Sequence, residues 1–224
     1  EWFYTTPGIV NALYHGVAAF TEEGDGVIVM PPVYYPFYKA VEENGRRLVR
    51  CPLIEGENLR YSIDCEKLEE LASKPENRLL ILCNPHNPVG RVWTREELME
   101  VSSICLRHQV FVISDEIHCD LIMPGNTFAS FASLSEETEK NTMTCMAPSK
   151  TFNLAGLQAS CVIIPDQERR RRLKAQMAKV SFEGRVNALG YKAMEAAYTK
   201  CHAWLDEAIQ VIWENHRSLK QFIE

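Results

Sequence analysis

The feature that most limits what this chain can become is a rhythm of short, β-rich apolar runs separated by amphipathic stretches. The runs are Val27–Met30, Leu48–Pro52, Leu79–Cys83, Val110–Ser114, Thr142–Met146 and Ser160–Ile164. Near-continuous apolar runs mark strands buried on both faces, and helical segments between them supply the crossovers that parallel strands need. The expectation is therefore an α/β fold, a three-layer α/β/α arrangement around a mostly parallel central sheet. With 224 residues and 46% apolar content, the chain can bury a core of that size.

Helix signals fill the gaps. Thr94-Arg95-Glu96-Glu97 reads as a capping box, followed by the apolar stripe Leu98, Val101, Ile104 and Cys105. Arg169-Arg170-Arg171-Arg172 reads as the solvated face of a helix whose buried stripe is Leu173, Met177 and Val180. From about Arg185 the pattern is helical to the end, with a break near Lys200-Cys201-His202. The expected division is a large unit over 1–184 and a helical segment over 185–224.

Several function classes are excluded. A formal charge of -6 argues against a nucleic-acid surface. No run approaches the roughly 20 apolar residues of a membrane span. Eight cysteines without a C-x-x-C pair read as reduced, mostly buried thiols of a cytoplasmic protein. The six histidines show no metal-ligand pairing, and no glycine-rich nucleotide loop is present. The opening Glu1-Trp2-Phe3-Tyr4, without an initiator Met, is expected to belong to a piece of a longer chain.

Four loops carry the chemistry, and ligands of open α/β sheets gather beyond the carboxyl ends of the strands. Asn84-Pro85-His86-Asn87-Pro88-Val89-Gly90 follows a strand, and its two Asn-Pro steps hold Asn87 in an extended turn. A lone Asn-Pro is ordinarily only a turn. Ser114-Asp115-Glu116-Ile117-His118 places an acid after a buried strand, where it needs a cationic partner such as a protonated pyridine nitrogen. Asp115 capping the next turn is the bland alternative. In Ser149-Lys150-Thr151-Phe152-Asn153, Pro148, Phe152, Leu154 and Ala155 offer an apolar setting that favours the neutral amine able to attack an aldehyde. Thr6-Pro7-Gly8-Ile9-Val10-Asn11 leads into the helical run Ala12–Phe20, offering free N–H groups to a phosphate. An ordinary helix start has the same letters.

These loops, in this order, resemble the fold-type I aminotransferase superfamily of pyridoxal-5′-phosphate (PLP) enzymes. Pro31-Pro32-Val33-Tyr34-Tyr35-Pro36-Phe37, Asn84 through Thr94 and Lys150 through Gly156 are similar, more narrowly, to the MalY/PatB group of cystathionine β-lyases. The resemblance implies that Lys150 is the Schiff-base lysine and later moves the α-proton. It implies that Asp115 keeps the pyridine nitrogen protonated, Asn87 donates to the phenolic oxygen with His118 as a second ligand, and Tyr34 stacks on the ring. Gly8, Ile9 and Val10, with the Ser149 hydroxyl, are implied as the phosphate cradle. Ala147 and Gln158 stand where the family commonly has a Ser and an Arg, which is expected to remove two phosphate ligands and shift that role to backbone N–H groups, a cross-subunit tyrosine or water. The small domain that supplies the carboxylate-binding Arg is expected to be missing or truncated, leaving an incomplete site. The implied activity is a PLP-dependent carbon–sulfur β-lyase acting on cystathionine or a related cysteine S-conjugate, in a cytoplasmic homodimer. An aminotransferase and a non-catalytic, regulatory PLP-binding protein are the alternatives.

Overall fold

The computed structural model describes residues 2–180 and 185–224. Its strands are β1 (Phe3–Thr6), β2 (Gly26–Val29), β3 (Arg47–Arg50), β4 (Ile54–Glu55), β5 (Tyr61–Ser62), β6 (Asn77–Cys83), β7 (Phe111–Asp115), β8 (Thr142–Met146) and β9 (Ser160–Ile163). Its helices are α1 (Ile9–Phe20), α2 (Pro36–Glu42), α3 (Cys65–Ala72), α4 (Arg95–Arg107), α5 (Glu136–Lys140), α6 (Pro148–Thr151), α7 (Gln167–Ala178), α8 (Ala188–Lys200) and α9 (His202–Ile223).

Seven strands form one sheet in the order β1-β9-β8-β7-β6-β2-β3. From β3 to β8 every pairing is parallel, whereas β9 and β1 close the far edge antiparallel. All six expected strands are present. β1 is an addition, and its sequence hides it: Phe3 and Tyr4 are more open while the polar Thr5 and Thr6 are the buried pair.

Residue alternation splits the core into two layers. Val27, Val29, Leu79, Ile81 and Ile113 join Leu13, Val17, Phe37 and Leu173 on one face of the sheet. Ile28, Leu80, Leu82 and Val112 join Leu68, Leu98, Val101 and Ile104 on the other. This is the expected three-layer arrangement. Helix α1 lies very close to the sheet at Gly16, where an added Cβ would fall 2.7 Å from Ile113 Cδ1. Its seat therefore depends on the missing side chain.

Helix α4 opens with the expected capping box, Thr94 Oγ1 accepting from Glu97 N at 3.2 Å and Glu97 Oε2 from Thr94 N at 2.7 Å. The arginine run differs from expectation. Arg169 is half-buried, with its guanidinium 4.0 Å from the centroid of the Phe111 ring, and donates to Asn141 Oδ1. Arg170 donates to the carbonyls of Ile164 and Pro165. Only Arg171 and Arg172 are open to solvent, and Arg172, about one turn after Arg169, still lies 5.9 Å from the centroid of the Phe20 ring. Val180 lies beyond the end of α7 and is exposed, so the buried stripe is Leu173 and Met177 alone.

The C-terminal region divides at Cys201 as expected. Helix α8 is tied to the body by Asn187 Nδ2 donating to Leu157 O and by Thr5 Oγ1 meeting Tyr191 OH at 2.7 Å. Helix α9 buries none of its residues. Residues 181–184, on which the expected boundary falls, lie outside the described residues. All eight cysteines are unpaired, four buried and four half-buried. No helix among the described residues is long and apolar enough to cross a membrane.

Candidate active site

Adjacent strands β6, β7 and β8 put Cys83, Asp115 and Cys145 side by side at their carboxyl ends. Immediately beyond them lies a cavity of about 240 Å³. All nine expected site residues line it: Gly8, Ile9, Val10, Tyr34, Asn87, Asp115, His118, Ser149 and Lys150. They come from five separate stretches of chain.

The loop after β6 is held by its own polar groups. Asn84 N donates to Asp115 O at 2.9 Å, His86 N to Arg91 O at 2.7 Å, and Asn84 Nδ2 to Ala129 O. His86 Nε2 meets Pro32 O at 3.0 Å, which joins this loop to the turn before Tyr34. Peptide bonds 31–32, 84–85 and 87–88 are cis. Among the described residues the Asn87 side chain has no hydrogen bond, so its amide is left to a ligand in the cavity.

Asp115 is almost fully buried, and Oδ1 accepts from Ile117 N at 3.2 Å. This is the turn-capping bond of the bland alternative, and it coexists with the cavity-facing position. Burial pushes the carboxyl up to about 7; the Ile117 bond and Lys150 oppose that, while Glu116 adds to it. One weak N–H bond is thus too little to hold the charge, and a cation placed in the cavity would restore the carboxylate. The neighbouring Glu116 is satisfied by Ser114 Oγ and Phe131 N, each at 2.9 Å, and belongs to the scaffold. His118 is half-buried; burial first, then Lys150, lowers its pKa and keeps the imidazole neutral near pH 7.

Lys150 sits in the short helix α6, which Pro148 starts. The side chain is exposed at the cavity mouth, so the apolar enclosure expected from Pro148 and Phe152 is not supplied by these residues. Phe152 turns away to pack on Tyr198 and Trp204 at 5.9 and 6.0 Å between ring centroids. Tyr34 lines the cavity and packs edge-to-face with Phe37; burial, Tyr35 and Asp115 raise its hydroxyl pKa.

On another wall of the cavity Gly8 caps α1 with φ 89°, and no side chain caps the first-turn N–H groups. Their unsatisfied donors and the helix dipole favour an anion. An added Cβ at Gly8 would lie 3.2 Å from Gln158 Oε1, so a side chain there would close the cradle.

Sequence reasoning missed Cys83, Pro7, Ile117, Ala155 and Ala159 as lining residues. Cys83 was legible in principle as the last strand residue before the Asn-Pro loop. Gln158, expected only as a lost ligand, lines the cavity beside Gly8, whereas Ala147 is buried outside it.

Acid, amine, amide, aromatic face and anion cradle surround one ring-sized space, the donor set that an aldehyde-bearing pyridine phosphate requires. The comparisons agree. The family Aminotransferase class I and II matches residues 3–224, and the chain belongs to that family. It is similar to cystathionine beta-lyase PatB of Bacillus subtilis, 50% identical over 97% of this chain and 56% of that one. Protein MalY of Escherichia coli is 31% identical over 89% of this chain and 50% of MalY. Cystalysin from Treponema denticola, whose crystal structure contains a pyridoxal 5′-phosphate cofactor, superposes with a TM-score of 0.95 and 43% identity, over 99% of this chain and 56% of cystalysin. The chain thus spans about half the length of these relatives.

Proposed function

We propose that this chain is the cofactor-carrying part of a PLP-dependent carbon–sulfur β-lyase that converts cystathionine or a related cysteine S-conjugate to a thiol, pyruvate and ammonia. The observation that carries the reading is the convergence of Lys150, Asp115 and Asn87 on one cavity that the Gly8 cradle also lines. PatB, half identical to this chain, is a cystathionine beta-lyase by name, which supports the lyase branch.

When bound, PLP supplies an electron sink for charge developing at the substrate's α-carbon. Asp115 accepts a hydrogen bond from the ring nitrogen and keeps a proton there, its burial making that pairing strong. Asn87 donates its amide to the phenolic oxygen, with neutral His118 beside it. Tyr34 covers one ring face, an aromatic contact of about 1 kcal/mol. The first-turn N–H groups of Ile9 and Val10 and the Ser149 hydroxyl would hold the phosphate, while Gly8, whose own N–H donates to Thr6 O at 2.9 Å, leaves room for it by lacking a side chain. Lys150, exposed at the mouth, would anchor the aldehyde covalently and, once the substrate's amine has displaced it, would take the α-proton with its freed amine. With PLP as the electron sink, loss of that proton would let the sulfur on the β-carbon leave as a thiolate.

The same reading takes 1–184 as the body and 185–224 as the path toward further chain, supported by the absence of buried residues in α9. It includes a homodimer in the cytoplasm, for which eight unpaired thiols favour a reducing compartment. The substrate-carboxylate Arg belongs to the part of the protein beyond this chain.

The test uses the full-length protein with added PLP. Borohydride reduction followed by peptide mapping should find the cofactor on Lys150, and cystathionine should yield pyruvate without an added keto acid. An aminotransferase, the reading that the family as a whole also accommodates, would need the keto acid. Cofactor found elsewhere, or none, rejects the proposal.

A further inference from the structure

The antiparallel ladder between β1 and β9 pairs Phe3 with Ile163 and Thr6 with Ser160. Continued two residues past its last rung, the same register sets Gly8 opposite Gln158. The last rung is locked by side chains: Thr6 Oγ1 meets Ser160 Oγ at 2.7 Å, and Ser160 Oγ lies 2.9 Å from Thr6 O. Gly8 and Gln158 therefore cannot drift apart independently of the sheet edge.

Both residues have left-handed backbones, φ 89° at Gly8 and φ 49° at Gln158. Glycine adopts that region freely, but a residue with a Cβ does so at a penalty, and glycine would be the cheaper residue at 158. What the glutamine adds is a side chain on the cavity wall, next to Gly8. Its Nε2 bonds only to Ala155 O, at 3.2 Å and in the open, a contact easily exchanged for a better acceptor. Rotation of the terminal amide brings Nε2 to the place Oε1 now holds.

Charge is scarce around this end. Among the described lining residues Lys150 is the only lysine or arginine, and the reaction engages its amine at the aldehyde carbon. Resting on the reading that the cavity takes PLP, we propose that Gln158 is the side-chain amide ligand of the cofactor phosphate, so that this chain holds the phosphate by neutral donors and no guanidinium. Two consequences separate this from a spectator role. Cofactor affinity should show little salt dependence beyond that of the phosphate itself, and a guanidinium at 158 should tighten binding.

The experiment titrates the full-length apoprotein with PLP, following its absorbance, and records the phosphorus NMR resonance of the bound phosphate. A hydrogen bond to a charged group is worth about tenfold or more in a binding constant. Gln158→Ala should raise Kd about tenfold and move the phosphorus resonance. Gln158→Gly removes the same amide while relieving the backbone, so it should bind as weakly as Gln158→Ala yet unfold at no lower temperature than wild type. Gln158→Arg should lower Kd at low salt, with the gain shrinking as salt rises. Unchanged Kd and resonance in both Gln158→Ala and Gln158→Gly overturn the assignment. A wild-type protein that takes up no PLP defeats the reading of the cavity and this inference together, whereas uptake with indifferent variants defeats only the inference.

Discussion

The backbone N–H of Asn87 rests on the sulfur of Cys83, 3.3 Å away, while the same thiol faces the carbonyl of Pro85 at 3.3 Å. Cys83 is thus the peg on which the Asn-Pro loop hangs, and burial raises its pKa so that it stays a thiol. Cys83→Val fills the space but can neither donate nor accept. It should cost about 1 kcal/mol of stability and lower kcat/KM by weakening the Asn87 contact with the cofactor. Denaturant unfolding and the pH dependence of the bound cofactor's absorbance check both. Loss of stability with an unchanged cofactor titration would leave Cys83 a packing residue only.

Asp115 makes the apoprotein sensitive to pH. Its folded pKa of about 7 lies above the ordinary carboxylate value, because burial opposes the charge. The folded chain therefore binds the proton more tightly than the unfolded chain, so the stability this group contributes is full in acid and is lost as pH rises from about 4 through about 7. Apo Asp115→Asn should show a flatter stability profile across that window. In the full-length enzyme the same change should reduce kcat by about hundredfold, since a neutral amide cannot hold the ring nitrogen's proton.

Lys150→Ala should abolish borohydride-fixable cofactor and reduce turnover by about 10²–10⁴-fold. Because the side chain is exposed, the melting temperature of the apoprotein should barely move. A large thermal shift would mean that the lysine serves the fold.

Arg169→Ala should destabilise the protein by about 1–2 kcal/mol through the lost stacking on Phe111 and the lost stem packing. Arg171→Ala, two positions on and open to solvent, should stay within about 0.5 kcal/mol. Paired urea denaturation curves distinguish the two. Equal effects would refute the division of this run into a packed half and a solvated half.

The central strands were legible because both faces of the sheet are covered, which leaves runs such as Leu79–Cys83 almost wholly apolar. The site was legible where a loop's own letters carry its geometry, as at Asn84 through Gly90 and at Asp115. What escaped depends on partners distant in sequence. Strand β1 is half threonine and becomes a strand only against β9. Gln158 reads as a deficiency until that register sets it beside Gly8. The packing of Arg169 requires Phe111, which no periodicity within α7 can reveal. Likewise the outward turn of Phe152, which leaves Lys150 uncovered, is decided by Tyr198 and Trp204 in helices far along the chain.

The pairing of β1 with β9 also has a temporal side. Residues 3–6 leave the ribosome well before residues 160–163, which are their strand partner among the described residues. Closing so long a loop is entropically slow, and it cannot begin before that partner has emerged. A nascent chain can therefore lay down the parallel strands β2, β3, β6, β7 and β8 before the β1–β9 edge closes beside the Gly8 turn, so this wall of the cavity is completed after the strand ends it faces.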